Sequence, residues 1–532
     1  MKKLDEFLEA GDGEKLAASV FLPGEGKYPV LLAMTPYGRE QLAQVAKAMT
    51  SRGFAVVVQD VRGRYDSTGS FSPVKQERED GPATIDWIEK QRWYDEEKGI
   101  GIIGISYLSL VGFLAAAKRK SIKAMFNAGG LADSFDLTHR GGAIVLHHAL
   151  PWSIIIGHGK TQPDLGSADW EKVFKTQPLE KADRVAGYPS RVWQELCTHK
   201  IRDDFWEELS AWQELRNFDF PILHFTGWYD ICLGPTLDIF NYFQEKSEFE
   251  QQLFIGPWSH SGTLRSPNGL AGIDFGPEGK SDLFQRGLNW FAHFLAGKKR
   301  EKELHKKPVN LFITGENKWH CFNQWPPEKA KERKLFLRGG SLGYKKETTT
   351  GEKSFIFDPA QPPQTVGGAV WEFPAAGLEP GPLDQSPVSR REDVITFSSP
   401  KLKEDLTLAG PAECRLFGSV DGESGDWVVR IVDLAPNGKR RWVADGILRS
   451  HFREGPRKVV SMVPGRVESL KIDLWAIGHT FKKGHRLCLE ISGGSFPKWD
   501  LNLIGLREQN VRKQKIHWGK DFPSYLKIFE LK

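Results

Sequence analysis

The chain has 532 residues, 40% hydrophobic and 27% charged, the texture of a soluble globular protein with more than one domain. Lysine and arginine total 73 against 68 aspartate and glutamate, and a formal charge of +5 over this length excludes nucleic acid as an expected partner. Five scattered cysteines (Cys197, Cys232, Cys321, Cys414 and Cys488) form no CxxC pair, which excludes a disulfide framework and a zinc site; no metal or cofactor is expected.

Acidic residues interrupt the first ten positions, so no signal-peptide core is read there. No apolar run is long enough to span a bilayer. A cytoplasmic protein with no membrane partner is expected. The sequence leaves a homo-oligomer open.

In chain order, Pro29 to Met34 is a buried strand meeting the turn Thr35-Pro36-Tyr37-Gly38. Ala55 to Gln59 is a second strand, ending at Asp60. Residues 82–91 read as an amphipathic helix. Gly99 to Gly104 is a third strand, followed by a Leu- and Ala-rich helix from Leu108 to Ala117. Pro221 to Phe225 and Gln252 to Ile255 complete the series. Strands alternating with helices predict a mostly parallel sheet, an α/β-hydrolase domain over 1–127 and 218–297.

Residues 128–217 break this rhythm. They carry Trp152, Trp170, Trp193, Trp206 and Trp212 among helical patterns and read as an inserted helical cap. Of these tryptophans, core packing is the favoured role over a substrate platform. Gly297 to Lys307 is charged and reads as a linker, with Lys298-Lys299-Arg300 as its solvated basic block. Beyond it, short alternating runs with Gly and Pro turns predict a C-terminal β-sandwich of jelly-roll type over 308–532. Within that region, 358–391 is Pro-rich and reads as irregular.

The chemistry centres on Gly104-Ile105-Ser106-Tyr107-Leu108-Ser109. It follows a strand and opens a helix, the context of a nucleophile elbow. A serine hydroxyl is a weak nucleophile at neutral pH and needs a base held by a carboxylate. In this fold the chain order is serine, acid, histidine. Asp230 ends Thr226-Gly227-Trp228-Tyr229-Asp230 after one strand, and His260 ends Gly256-Pro257-Trp258-Ser259-His260 after the next. Ser106 is thus expected to attack, His260 to carry the proton and Asp230 to orient the imidazole. The oxyanion needs two donors. The Tyr107 N–H is one candidate. The Tyr37 hydroxyl, at the end of an earlier strand, is the other.

Together these motifs resemble the cocaine esterase / Xaa-Pro dipeptidyl-peptidase family of α/β-hydrolases, the CocE/NonD hydrolases. The matching segments include Thr-Pro-Tyr-Gly at 35–38, Gln-Asp-Val-Arg-Gly-Arg at 59–64, Gly-Ile-Ser-Tyr at 104–107, Gly-Trp-Tyr-Asp at 227–230 and Gly-Pro-Trp-Ser-His at 256–260. C-terminal matches include Asp445 to Arg449, Ile472 to Trp475 and Ser495-Phe496-Pro497. The resemblance implies the same three-part architecture, the triad Ser106, Asp230 and His260, and Tyr37 as oxyanion donor. One position departs: Ser109 stands where the family carries glycine, which puts the packing and backbone freedom of the elbow in question.

Asp60 and Arg62 read as a structural ion pair or turn rather than substrate ligands. His147 and His148 read as cap packing or surface residues. The leading expectation is a cofactor-independent serine hydrolase that cleaves a small-molecule ester or an amide or peptide through an acyl-enzyme. A dipeptidyl-peptidase cleaving after proline is the first alternative. It requires cap carboxylates for the substrate amine, drawn from Asp164, Asp169, Glu171, Glu180 and Asp183. A non-catalytic binding protein on the same scaffold is the second.

Overall fold

The apolar runs of the first half lie side by side in one ten-stranded sheet of the computed structural model, which describes residues 1–246, 248–262, 269–300, 307–504 and 511–532. The strands are β1 (Lys2–Glu9), β2 (Lys15–Leu22), β3 (Val30–Thr35), β4 (Ala55–Asp60), β5 (Ile100–Ile105), β6 (Ile122–Ala128), β7 (Ile222–Tyr229), β8 (Gln251–Ser259), β9 (Val309–Ile313) and β10 (Lys318–Phe322). Their spatial order is β1-β2-β4-β3-β5-β6-β7-β8-β9-β10. From β4 to β9 every neighbouring pair is parallel. The outer pairs β1–β2, β2–β4 and β9–β10 are antiparallel.

The interior strands read as continuous apolar runs because helices cover both sheet faces, and β3, β4, β7 and β8 are buried along their whole lengths. β1 escaped the sequence reading for the opposite reason. It is an edge strand with mostly exposed residues, so it shows no apolar run. The helix expected at 82–91 spans Glu77–Glu89, and Pro82 lies inside it rather than at its start. The helix after β5 spans Tyr107–Ala116.

Between β6 and β7 the chain is predominantly helical, with helices that include Leu146–Gly157, Trp170–Phe174 and Arg191–Thr198. Trp170, Trp193 and Trp206 are buried in its core, in line with the packing role favoured for them. No helix among the described residues is long and apolar enough to cross a membrane.

One boundary needs correction. The sequence placed residues from 308 onward in the C-terminal β domain, but β9 and β10 hydrogen-bond onto the edge of the first sheet beside β8. A short strand in a stretch of other short strands carries no mark of which sheet it joins. Residues 301–306 of the expected linker 297–307 lie outside the described residues. From Ala330 the chain forms a second, eleven-stranded sheet system, antiparallel except for one bridge between Ser341 and Ser398. Its core includes Phe397, Trp427, Leu470 and Ile491.

Several sets of contacts tie this region to the rest, and two of them lie close to the sheet edge and the insertion. Thr314, just after β9, accepts from the Thr480 N–H at 2.8 Å and donates its own N–H to Gly478 O at 3.0 Å. Arg140 of the insertion lies 3.7 Å from the ring centroid of Trp475 and donates to the carbonyls of Asp445 (2.9 Å) and Asp473 (3.1 Å). The Pro-rich 358–391 segment is mostly irregular, as expected, with only a turn of 3-10 helix at Pro374–Ala376 and a short helix at Ser386–Ser389. It runs back over the first sheet and delivers Trp371 to the site described next.

Candidate active site

Ser106 sits at the sharp turn between β5 and helix Tyr107–Ala116, with φ 54° and ψ −126°. A non-glycine residue held at positive φ stores strain, and such residues cluster at functional turns. The turn is held by the Ser106 N–H, which donates to Ala128 O on β6 at 2.9 Å. Gly104 makes it possible: a Cβ there would stand 2.8 Å from the Cα of Ser109. The departure at position 109 therefore resolves in two parts. Ser109 lies within the helix and is not among the positive-φ residues, so its backbone needs no glycine. Its hydroxyl is buried with no hydrogen-bond partner among the described residues.

The ends of β7 and β8 bring Asp230 and His260 to this serine. His260 Nε2 is 3.0 Å from Ser106 Oγ, and His260 Nδ1 is 2.8 Å from Asp230 Oδ1. A carboxylate can only accept, so in the neutral ring Nδ1 carries the proton and Nε2 is the acceptor facing the serine hydroxyl. Asp230 is buried and also accepts from the Cys232 N–H (2.8 Å) and the Thr226 hydroxyl (3.0 Å). Burial disfavours the His260 imidazolium, and the Asp230 carboxylate outweighs it, so the imidazole pKa is held well above its ordinary value. Asp230, Cys232 and His260 also bring potential metal-ligand atoms within 4.8 Å of one another. Of these, the Asp230 oxygens and the His260 ring nitrogens are engaged in the contacts just described.

Both tyrosines named from the sequence are here, in different roles. Tyr107 is the first residue of its helix, so its N–H falls outside the helical ladder. Its side chain turns away: the hydroxyl donates to Glu77 Oε1 at 2.8 Å and accepts from the Val74 N–H at 2.9 Å. Burial pushes the Glu77 carboxyl up to about 7. The Tyr37 hydroxyl faces the pocket beside Ser106 and accepts from Trp152 Nε1–H at 3.0 Å. Burial pushes its pKa up to about 12, so it is a protonated donor at neutral pH. With one lone pair taken by the indole, the Tyr37 hydroxyl keeps its own O–H as a donor.

The pocket above Ser106 has a volume of about 310 Å³. Leu42, Leu108, Trp152, Ile155 and Trp371 give it apolar walls. No Asp or Glu is among its described lining residues. The five acidic residues of the insertion weighed from the sequence for the substrate amine are engaged elsewhere. Asp164 and Asp169 cap short helices, accepting from Gly166 N–H and Lys172 N–H. Asp183 accepts from the Ser190 N–H, Glu171 pairs with Lys175, and Glu180 pairs with Lys200.

The histidine pair splits. His147 packs between regions as expected, accepting the Trp371 N–H on Nε2 at 2.8 Å and contacting Lys498 O through Nδ1 at 3.3 Å. His148 is buried but lines the pocket, stacked on Trp152 (5.9 Å) and edge-on to Trp371 (5.5 Å). Burial holds its pKa well below the usual imidazole value, so it is neutral.

Asp60 is fully buried and accepts from the Arg39 N–H (2.6 Å) and Nη1 (2.5 Å), while Arg62 makes a two-pronged pair with Asp80. Both lie away from the pocket lining. Arg64, which the sequence reading left without a role, is fully buried and donates to the carbonyls of Pro36, Ile155, Ile156 and Gly159. It clamps the Tyr37 turn to the end of the helix that carries Trp152. Trp371 was missed because nothing in an irregular Pro-rich segment signals where its tip lands.

The family model for X-Pro dipeptidyl-peptidase (S15 family) matches residues 12–262, and that for the X-Pro dipeptidyl-peptidase C-terminal non-catalytic domain matches 305–527. The chain belongs to this S15 hydrolase family. Among its relatives, the cocaine esterase of Rhodococcus sp. (strain MB1 Bresler) is 28% identical, over 97% of this chain and 96% of that protein. An aminopeptidase from a marine sediment Thaumarchaeota archaeon has the same fold, with a TM-score of 0.88 at 22% identity, covering 100% of this chain and 96% of the other. An α-amino acid ester hydrolase gives 0.87 at 22% identity, covering 99% and 96%. S15 members are thus hydrolases whose named relatives include both esterases and peptidases.

Proposed function

We propose that this protein is a cofactor-independent serine esterase for small, neutral carboxylic esters. The observation that carries the reading is the chain of contacts Ser106–His260–Asp230 at 3.0 and 2.8 Å, opening into a pocket with no carboxylate among its described lining residues. Ser106 Oγ attacks the ester carbonyl as its proton passes to His260 Nε2. The carbonyl oxygen takes up negative charge and is held by the Tyr37 hydroxyl and the Tyr107 N–H. The C–O bond to the alcohol then breaks, with His260 returning the proton to the leaving oxygen. Water repeats the sequence on the acyl-enzyme and frees the acid. Asp230 holds the imidazole and stabilises the imidazolium.

The helical insertion acts as a cap over the cleft, and the C-terminal β region, read as a jelly roll, closes it from the side through Trp371. A neutral pocket favours esters over Xaa-Pro peptides, because a free α-ammonium group needs a carboxylate partner once it leaves water. A fluorophosphonate probe should label Ser106, and Ser106→Ala should abolish both labelling and ester turnover. Absence of labelling in the wild type would favour a non-catalytic binding protein. Turnover of Xaa-Pro anilides above that of simple acyl esters would reverse the substrate preference.

A further inference from the structure

A second apolar cavity, of about 180 Å³, lies on the sheet face next to the pocket above Ser106. It sits between helix Ala43–Thr50 and helix Leu283–Phe294, with Ala46, Val58, Phe126 and Phe291 among its walls. Leu42 and Ile105 line both spaces. Ile105 directly precedes the nucleophile, and Leu42 follows the Tyr37 turn. The cavity is also lined by Val45 and Phe284, each 38% exposed. Protein cores hold few voids larger than a water molecule, so an apolar space of this size beside the reacting centre calls for an occupant.

From this shared wall we infer that the second cavity is an acyl-chain site, and that the protein prefers esters of unbranched medium-chain fatty acids. This rests on the esterase reading above. The direction follows from the chemistry of the site. His260 must face the leaving oxygen to return its proton, so the alcohol half lies on the His260 side. The Leu42–Ile105 wall belongs to the Tyr37 side, which leaves it to the acyl half. A straight chain displaces the two flexible aliphatic side chains by rotamer change and lies against apolar walls for its whole length. A polar or branched acyl group gains nothing there.

The test is a series of p-nitrophenyl esters from acetate to dodecanoate. Burial of each added methylene, at about 0.8 kcal/mol, should raise kcat/KM about fourfold per carbon until the cavity is filled. A matched series of acetate esters with lengthening alcohols should show no such rise. Gly287 lines the cavity from helix Leu283–Phe294, and the nearest atoms to a Cβ built there belong to the Phe126 ring, at 3.4 Å. Gly287→Leu should therefore fill the cavity and lower the decanoate-to-acetate ratio of kcat/KM at least tenfold. Using a ratio removes any loss of folded enzyme, and Ala46→Phe repeats the test from the opposite helix. A flat acyl series with acetate still cleaved would overturn the chain site alone, as would an unchanged ratio in both variants. A rise along the alcohol series would overturn the acyl assignment. If no ester of any length is cleaved, the esterase reading falls and takes the chain site with it.

Discussion

Replacing Trp152 with phenylalanine tests how the Tyr37 hydroxyl is set for its task. The change keeps an aromatic wall in the pocket but deletes the indole N–H that donates to the Tyr37 oxygen at 3.0 Å. That bond orients the phenol and, by polarising it, strengthens its O–H as a donor. A neutral hydrogen bond in a buried site is worth about 1 kcal/mol net, which corresponds to roughly fivefold in kcat. Deleting the donor itself by Tyr37→Phe should cost far more, about 3 kcal/mol or roughly 10²-fold or greater. Steady-state kinetics on a p-nitrophenyl ester should show both losses in kcat with little change in KM. The double variant decides the mechanism. If the indole acts through Tyr37, adding Trp152→Phe to Tyr37→Phe should cost almost nothing further. An additive fivefold loss, or an effect confined to KM, would mean that Trp152 touches substrate directly and that the orienting role is wrong.

Other consequences can be checked one by one. The neutral form of His260 is the base, and its pKa is held above the ordinary imidazole value by Asp230, so kcat/KM should fall as pH drops through a limb above about 6.5. Asp230→Asn should move that limb to lower pH while reducing kcat by about 10⁴, read from pH–rate profiles. Ser109→Ala removes a buried hydroxyl without a partner among the described residues and should stabilise the protein by about 1 kcal/mol in urea unfolding. Ser109→Gly should instead destabilise it relative to alanine by about 1 kcal/mol, and a rise in kcat would show that the elbow does need glycine. Arg64→Ala leaves the carbonyls of Pro36, Ile155, Ile156 and Gly159 without their shared donor. It should cost about 3 kcal/mol or more in the same assay and lower kcat through loss of the Tyr37–Trp152 arrangement.

The sequence by itself determined the strands that end at the site. β3, β4, β5, β7 and β8 are buried on both faces, which demands unbroken apolar runs, and such runs are visible in a linear string. Ser106, Asp230 and His260 were legible for the same reason. Ser106 lies two residues, and Asp230 and His260 five, beyond the apolar runs Gly99–Gly104, Pro221–Phe225 and Gln252–Ile255, and each directly follows a strand end at the edge where a parallel sheet gathers its termini. Strands β1, β2 and β6 were not read, β1 because its mostly exposed residues show no apolar run, and β9 and β10 were not placed in the first sheet because partner choice depends on hydrogen bonds between segments far apart in the chain.

Only the tertiary structure decided what surrounds the triad. Trp152 and Trp371 are 219 positions apart, and their common pocket exists only once the insertion and the Pro-rich segment fold over the sheet. The five acidic residues of the insertion weighed from the sequence looked available for an ammonium group, and folding commits them to caps, ion pairs and a backbone N–H instead. The two neighbouring histidines look alike in sequence and diverge because consecutive helical residues point about 100° apart, one toward the C-terminal region and one into the pocket. The nucleophile is a local pattern, whereas the shape of the cavity it serves is a sum over distant chain segments.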